Sequence, residues 1–230
     1  MARFSDLFIT NHHKLEDSYN RLLTSKNSDE RGRRQNEFVW GMARLLIAEE
    51  LIYYPTLEKI DSFNAGLTTR SQDKGQSMIP YILYQQQVKS LLISFHDIPP
   101  THPDFESLAR KIWNMYSAHL EEQESGDLRI LEQNLSQEES ANLAKAFERT
   151  RYLIPMTYCC CYCPSCAHST DQPLDQHPQE AHQHHDQHHH QLQKEQQQQQ
   201  RPLAFDTASS LLRAPVSKIR DALRQFPQEE

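Results

Sequence analysis

Residues 35–59 read QNEFVWGMARLLIAEELIYYPTLEK. Phe38, Met42, Leu45, Glu49 and Ile52 recur at steps of four, three, four and three, which puts all five on one stripe of a helix. Four are apolar and the fifth is a carboxylate. An ionised Glu in a core seam costs free energy unless a cation, a donor or a proton compensates it. The role of Glu49 is therefore the functional question of the chain.

The same spacing recurs on both sides of this stretch. Phe8, His12, Leu15, Tyr19 and Leu22 form one stripe of a first helix over about Ser5–Ser25, with a break expected near Thr10-Asn11. Asp29 is the expected N-cap of the second helix, Glu30 to Ser62, and Pro55 predicts a kink just past Glu49. Met78, Ile82, Gln85, Val88, Leu92 and Phe95 mark a third helix that stops before Pro99-Pro100. Leu108, Ile112, Met115 and His119 mark a fourth, beginning near Pro103-Asp104 and ending or bending at Gly126. Ser136 and Glu139 form a capping box that opens a further helix to about Leu153. After residue 202, Asp206 and Pro215 are expected to start two short helices, the second with Val216, Ile219 and Leu223 on its apolar side. The chain has 5 Gly and no useful strand-like alternation. The fold class is all-α: an up-down-up-down four-helix bundle with additional C-terminal helices.

Each long helix carries one polar residue where its stripe calls for an apolar one: His12, Glu49, Gln85 and His119. With turns centred near residues 29, 66 and 100, their heights agree within two to four residues, about 3–6 Å at helical rise. They are expected to meet in one layer. Imidazole, carboxylate and amide in a bundle core can bind metal, and a satisfied hydrogen-bonded layer needs none.

These residues carry a resemblance. NHHKLEDSYNRL (11–22), the stretch 35–59, HLEEQ (119–123), LSQEESANLAKAFERTRYLIP (135–155) and FDTASSLLRAPVSKIRDALRQFP (205–227) resemble, in order and spacing, the hemerythrin-like (HHE cation-binding) family. The resemblance implies a four-helix bundle around a non-haem di-iron centre or another pair of cations, with oxygen or iron binding and sensing as the associated role. His12, Glu49 and His119 match ligand positions and are the candidate metal ligands. Leu45, Gln85 and Gln123 stand where the family has two histidines and a second bridging carboxylate. Leu donates to no metal, and Gln is a weak neutral donor. Glu16, Glu50, Glu122 and Glu124 are neighbouring carboxylates, read mainly as solvated or salt-bridged. Two readings follow: a cation-binding protein with a reduced or mononuclear iron or other divalent-metal site, and a pseudo-hemerythrin bundle that serves as a binding or scaffold protein.

The sequence divides into a bundle over 1–156, an insert over 157–202 and docking helices over 203–230. All five Cys lie in CCCYCPSC (159–166), and eight of the 13 His lie between His168 and His190, ahead of a Gln run. The insert is expected to be disordered. Its overlapping C-x-x-C pairs could take zinc or cuprous ion, or be palmitoylated; a drifting low-complexity tract with no selected chemistry is the simpler reading. A net charge of -7 argues against nonspecific nucleic-acid binding. No run approaches membrane-spanning length and the N-terminus lacks a secretory signal, which points to the cytoplasm without separating it from the nucleus. No nucleophile–base pair or phosphate-binding Gly loop marks an enzyme.

Overall fold

A computed structural model describes residues 3–64, 79–155 and 205–226. The expected insert and the third-helix residue Met78 lie outside the described residues. Four long helical segments form the bundle: α1 (Phe4–Leu23), α2 (Ser28–Ala48) continued by α3 (Tyr54–Asn64), α4 (Ile79–Asp97) and α5 (Phe105–Glu122). α1 packs on α2, α2 on α4, α4 on α5 and α5 on α1, which closes the ring. The bundle expected from the sequence is the one observed.

Several local signals resolve differently from expectation. α1 runs unbroken through Thr10-Asn11. Asn11 tolerates the helix because its Nδ2 donates to the Leu7 carbonyl while its Oδ1 accepts from Arg44. Asn27, not Asp29, caps α2 by accepting from the Glu30 N–H. The second segment runs on through Pro55, as expected, and the local irregularity just past Glu49 takes the form of a π-turn. A π-turn, Glu49–Tyr53, joins α2 to α3, and Tyr54 N–H bonds back to the Glu49 carbonyl. Pro55 has no N–H to give to the α ladder, so that ladder cannot run unbroken through it. A second π-turn, Gln123–Asp127, holds Gly126 and joins α5 to α6 (Leu128–Asn134).

The Ser136–Glu139 capping box is present and starts α7 (Gln137–Arg149), which packs on α1 and leads into a 3₁₀ turn, Thr150–Leu153. α8 (Ala208–Arg213) is capped by Thr207 rather than Asp206, and α9 (Val216–Arg224) begins after Pro215. α8 rests on α2 and α4; α9 rests on the 3₁₀ turn and the first π-turn. This outer cover changes the character of α2. A single apolar stripe was expected, yet every residue from Glu37 to Ala48 is buried. Each large apolar side chain so buried contributes about 1.5–3 kcal/mol.

Full burial forces α2 to find partners for its polar groups. Gln35 donates its amide to the carbonyls of Phe95 and Ile98 at 2.5 and 3.0 Å, satisfying the C-terminal end of α4. Arg44, 1% exposed, donates to Thr150 Oγ1 at 2.9 Å and Asn11 Oδ1 at 3.1 Å, and its guanidinium lies 4.7 Å from the Phe147 ring centre. It ties α1, α2 and α7 together. No described helix is long and apolar enough to cross a membrane.

Candidate functional site

Glu49 closes α2 at the start of the first π-turn and is 0% exposed. Its two carboxylate oxygens are held from three directions. Oε2 accepts from the Tyr54 hydroxyl at 2.8 Å and from the Gln85 amide; Oε1 accepts from the Tyr116 hydroxyl at 2.8 Å and from the Gln123 amide at 3.4 Å. A carboxylate has about four lone-pair sites, and these four donors match them in number. Only the NH₂ side of an amide can face a carboxylate favourably, so Gln85 and Gln123 act here as donors.

His119 stands beside this hub. Its Nε2 lies 3.6 Å from Glu49 Oε1 and 3.2 Å from the Tyr54 hydroxyl. The Tyr84 ring packs 5.4 Å from it and sends its hydroxyl to the Met115 carbonyl. Burial, and then the negative charges of Glu49 and Glu122, push the Tyr84 phenol well above its usual value. Three of the four residues expected in one layer, Glu49, Gln85 and His119, are thus in mutual contact or linked through Tyr54.

His12 is buried but hydrogen-bonded elsewhere. Its Nδ1 meets Glu124 Oε1 at 2.8 Å, its ring lies edge-on to Phe8, and its Nε2 is buried without a hydrogen-bond partner. The Oε1 atoms of Gln85 and Gln123 are likewise buried and unpartnered. The bond from His12, and then the charges of His12 and His13, hold the Glu124 carboxyl below its usual value, outweighing partial burial. Among the neighbouring carboxylates, Glu50 pairs with Lys89 at 2.6 Å, while Glu16 and Glu122 are exposed.

Sequence reasoning missed the two tyrosines on Glu49. Tyr116 was findable: it lies four residues after Ile112 and three before His119, on the same stripe. Tyr54 was not, because five residues from Glu49 is off-stripe in an α-helix. The π-turn has more residues per turn and brings the two side chains together.

The donor set does not fit a two-metal centre. Leu45, 1% exposed, is a core side chain with nothing to coordinate. Gln85 and Gln123 present N–H groups to the carboxylate that would have to bridge. Among the described residues, no group of three or more His, Cys, Asp or Glu is placed to hold a metal ion.

No family model matches the chain. It is 27% identical over 228 residues to an uncharacterized hemerythrin-like protein of Schizosaccharomyces pombe, an alignment covering 99% of this chain and 89% of the relative. A hemerythrin HHE cation binding domain-containing protein from Mycobacterium kansasii, of known crystal structure, aligns with 64% of this chain and 83% of its own at a TM-score of 0.49 and 16% identity.

Proposed function

Because the chain resembles the hemerythrin-like family along nearly its whole length, we propose that it is a pseudo-hemerythrin, a bundle of that ancestry working as a metal-independent binding or scaffold module. One observation carries this reading: both oxygens of Glu49 are taken by side-chain donors, two to each. The hydroxyls and amides of the layer supply the compensation that a buried carboxylate requires. We take residues 1–156 and 203–230 as one folded unit with 157–202 as an insert, supported by the packing of α8 on α2 and α4.

A second reading rests on a different observation. His12 Nε2 and the Oε1 atoms of Gln85 and Gln123 are buried without partners. Orphaned lone pairs of this kind favour a ligand that accepts them. A weak site for one divalent cation, such as iron, would draw on His12, Glu49 and His119, with His12 offering its unpartnered Nε2 while its Nδ1–H stays on Glu124.

Metal content separates the two. Iron and zinc are measured on protein purified without a metal-affinity tag, alongside His119→Ala. The His-rich tract is common to both proteins and cancels in the difference. Equal, low iron in both, with no change in melting temperature on chelation, is the expected result. Near-stoichiometric iron that disappears in His119→Ala overturns the first reading and establishes the second.

A further inference from the structure

Away from Glu49, α9 and the C-terminal turn of α7 enclose an open pocket of ≈230 Å³ against the first π-turn. Three of its lining residues are Arg149, Arg220 and Arg224, and none is acidic. The rest are apolar: Leu51 and Ile52 from the π-turn, Ala146 from α7 and Leu223 from α9.

The three guanidiniums are unequally engaged. Arg149 donates from one terminal nitrogen to the Leu223 and Phe226 carbonyls, which fastens α9 to α7. Its Nε is buried with no hydrogen-bond partner. Arg224 pairs with Asp221 at 2.9 Å on the exposed surface. Arg220 is exposed and makes no ion pair among the described residues. Asp221 offsets Arg224 from outside the pocket, while Arg149 and Arg220 face the same concavity with no acid in its lining, a local positive field that attracts an anion. The guanidinium fork suits carboxylate and phosphate, and the apolar wall suits a hydrocarbon.

We propose that this pocket binds a small amphiphilic anion, with its carboxylate or phosphate head on the arginines and a short alkyl chain against Leu51, Ile52 and Leu223. A cavity of about 150 Å³ accommodates benzene; by that scale this open pocket covers about nine non-hydrogen atoms, enough for the head and the first carbons of an octyl chain, whose end extends into solvent. The inference is independent of whether the core holds a cation, since no residue of the Glu49 hub lines the pocket.

Octanoate and octyl phosphate are the probes, with octylamine and acetate as controls, titrated by calorimetry into the full-length protein. Saturable one-to-one binding of both amphiphilic anions is expected, with octylamine and acetate at least about tenfold weaker. A preference for octanoate identifies a free acid as the natural head group; a preference for octyl phosphate identifies a phosphate ester. The double variant Arg220→Glu with Arg224→Glu is expected to weaken binding at least about tenfold while its helical circular dichroism is retained and its melting falls only slightly, through the lost exposed pair of Arg224 with Asp221. Arg33→Glu, exposed and about 27 Å further along the α2–π-turn axis from Leu51, is the charge control and is expected to bind as wild type. Absence of saturable binding, equal binding of octylamine, or equal weakening by Arg33→Glu overturns the proposal.

Discussion

His12 gives its Nδ1–H to the carboxylate of Glu124 at 2.8 Å, since an ionised carboxylate can only accept. The imidazole is buried while the acid is about one-third exposed, with relative side-chain exposures of 1% and 31%. The bond therefore satisfies one buried nitrogen of His12 and holds α1 against the second π-turn.

Its pH signature has a definite sign. The Glu124 carboxyl lies below its ordinary value of 4.5 in the folded protein, chiefly through the bond from His12. A depressed acid contributes stability that is present above the unfolded value and lost as pH falls through the folded one. Glu124→Gln keeps an acceptor but loses the charge. It is expected to cost about 1 kcal/mol at pH 7 and less at about pH 3, below the ordinary carboxyl value. Urea titrations of both proteins at the two pH values check this; a loss that persists unchanged at low pH contradicts it.

Removing the hub acid has a larger effect. Glu49→Ala leaves two hydroxyls and two amides in the core without their acceptor. A loss of about 3–5 kcal/mol is expected, or roughly 6–20 °C in melting temperature at about 2–4 °C per kcal/mol. Glu49→Gln keeps one acceptor oxygen and should lose clearly less. Thermal melts of the two variants rank them, and an equal loss would show that hydrogen bonding to Glu49 is not what the layer supplies.

Restoring the missing ligands tests the fit argument directly. The triple variant Leu45→His, Gln85→His and Gln123→Glu supplies the donors that the family resemblance implies. Without iron it should be less stable than wild type, because Leu45 is core and new polar groups are buried. With ferrous iron it should recover stability by mass action, whereas wild type should not respond. Melting curves with and without iron decide the matter.

Arg44 provides a test unconnected with metals. Arg44→Ala removes a buried cation that serves Asn11, Thr150 and the Phe147 ring. About 3–5 kcal/mol of destabilisation is expected. Amide hydrogen exchange should rise first at the contact of α7 with α1, and a uniform increase over all helices would argue against a local tie.

The bundle was legible because its stripes are long and regular: Phe38 to Ile52, Phe8 to Leu22 and Leu108 to His119 each hold their spacing for several turns. The convergence of Glu49, Gln85 and His119 was legible for the same reason, since turn positions and helical rise set their heights. The partner of His12 was not. Glu124 lies within a π-turn, where α spacing no longer assigns a face. Arg44 was hidden by the outer cover, because burial of the outward side of α2 depends on α8 and the 3₁₀ turn, whose placement is a long-range property of the chain. Capping positions missed by one or two residues, as at Asn27 and Thr207, reflect the chemical equivalence of adjacent Ser, Thr, Asp and Asn side chains as acceptors.

Both π-turns begin on residues that touch the central carboxylate: one at Glu49 itself, the other at Gln123. A π-turn can be regarded as an α-helix carrying one surplus residue. The surplus residue is absorbed in the wider turn, so the helix beyond it keeps the phase it would have without the insertion. Deleting Glu50 would leave Tyr54 four residues from Glu49, on the same face of a plain α-helix. The widened turn is thus what lets an acid and its phenol donor five residues apart in sequence meet at one point.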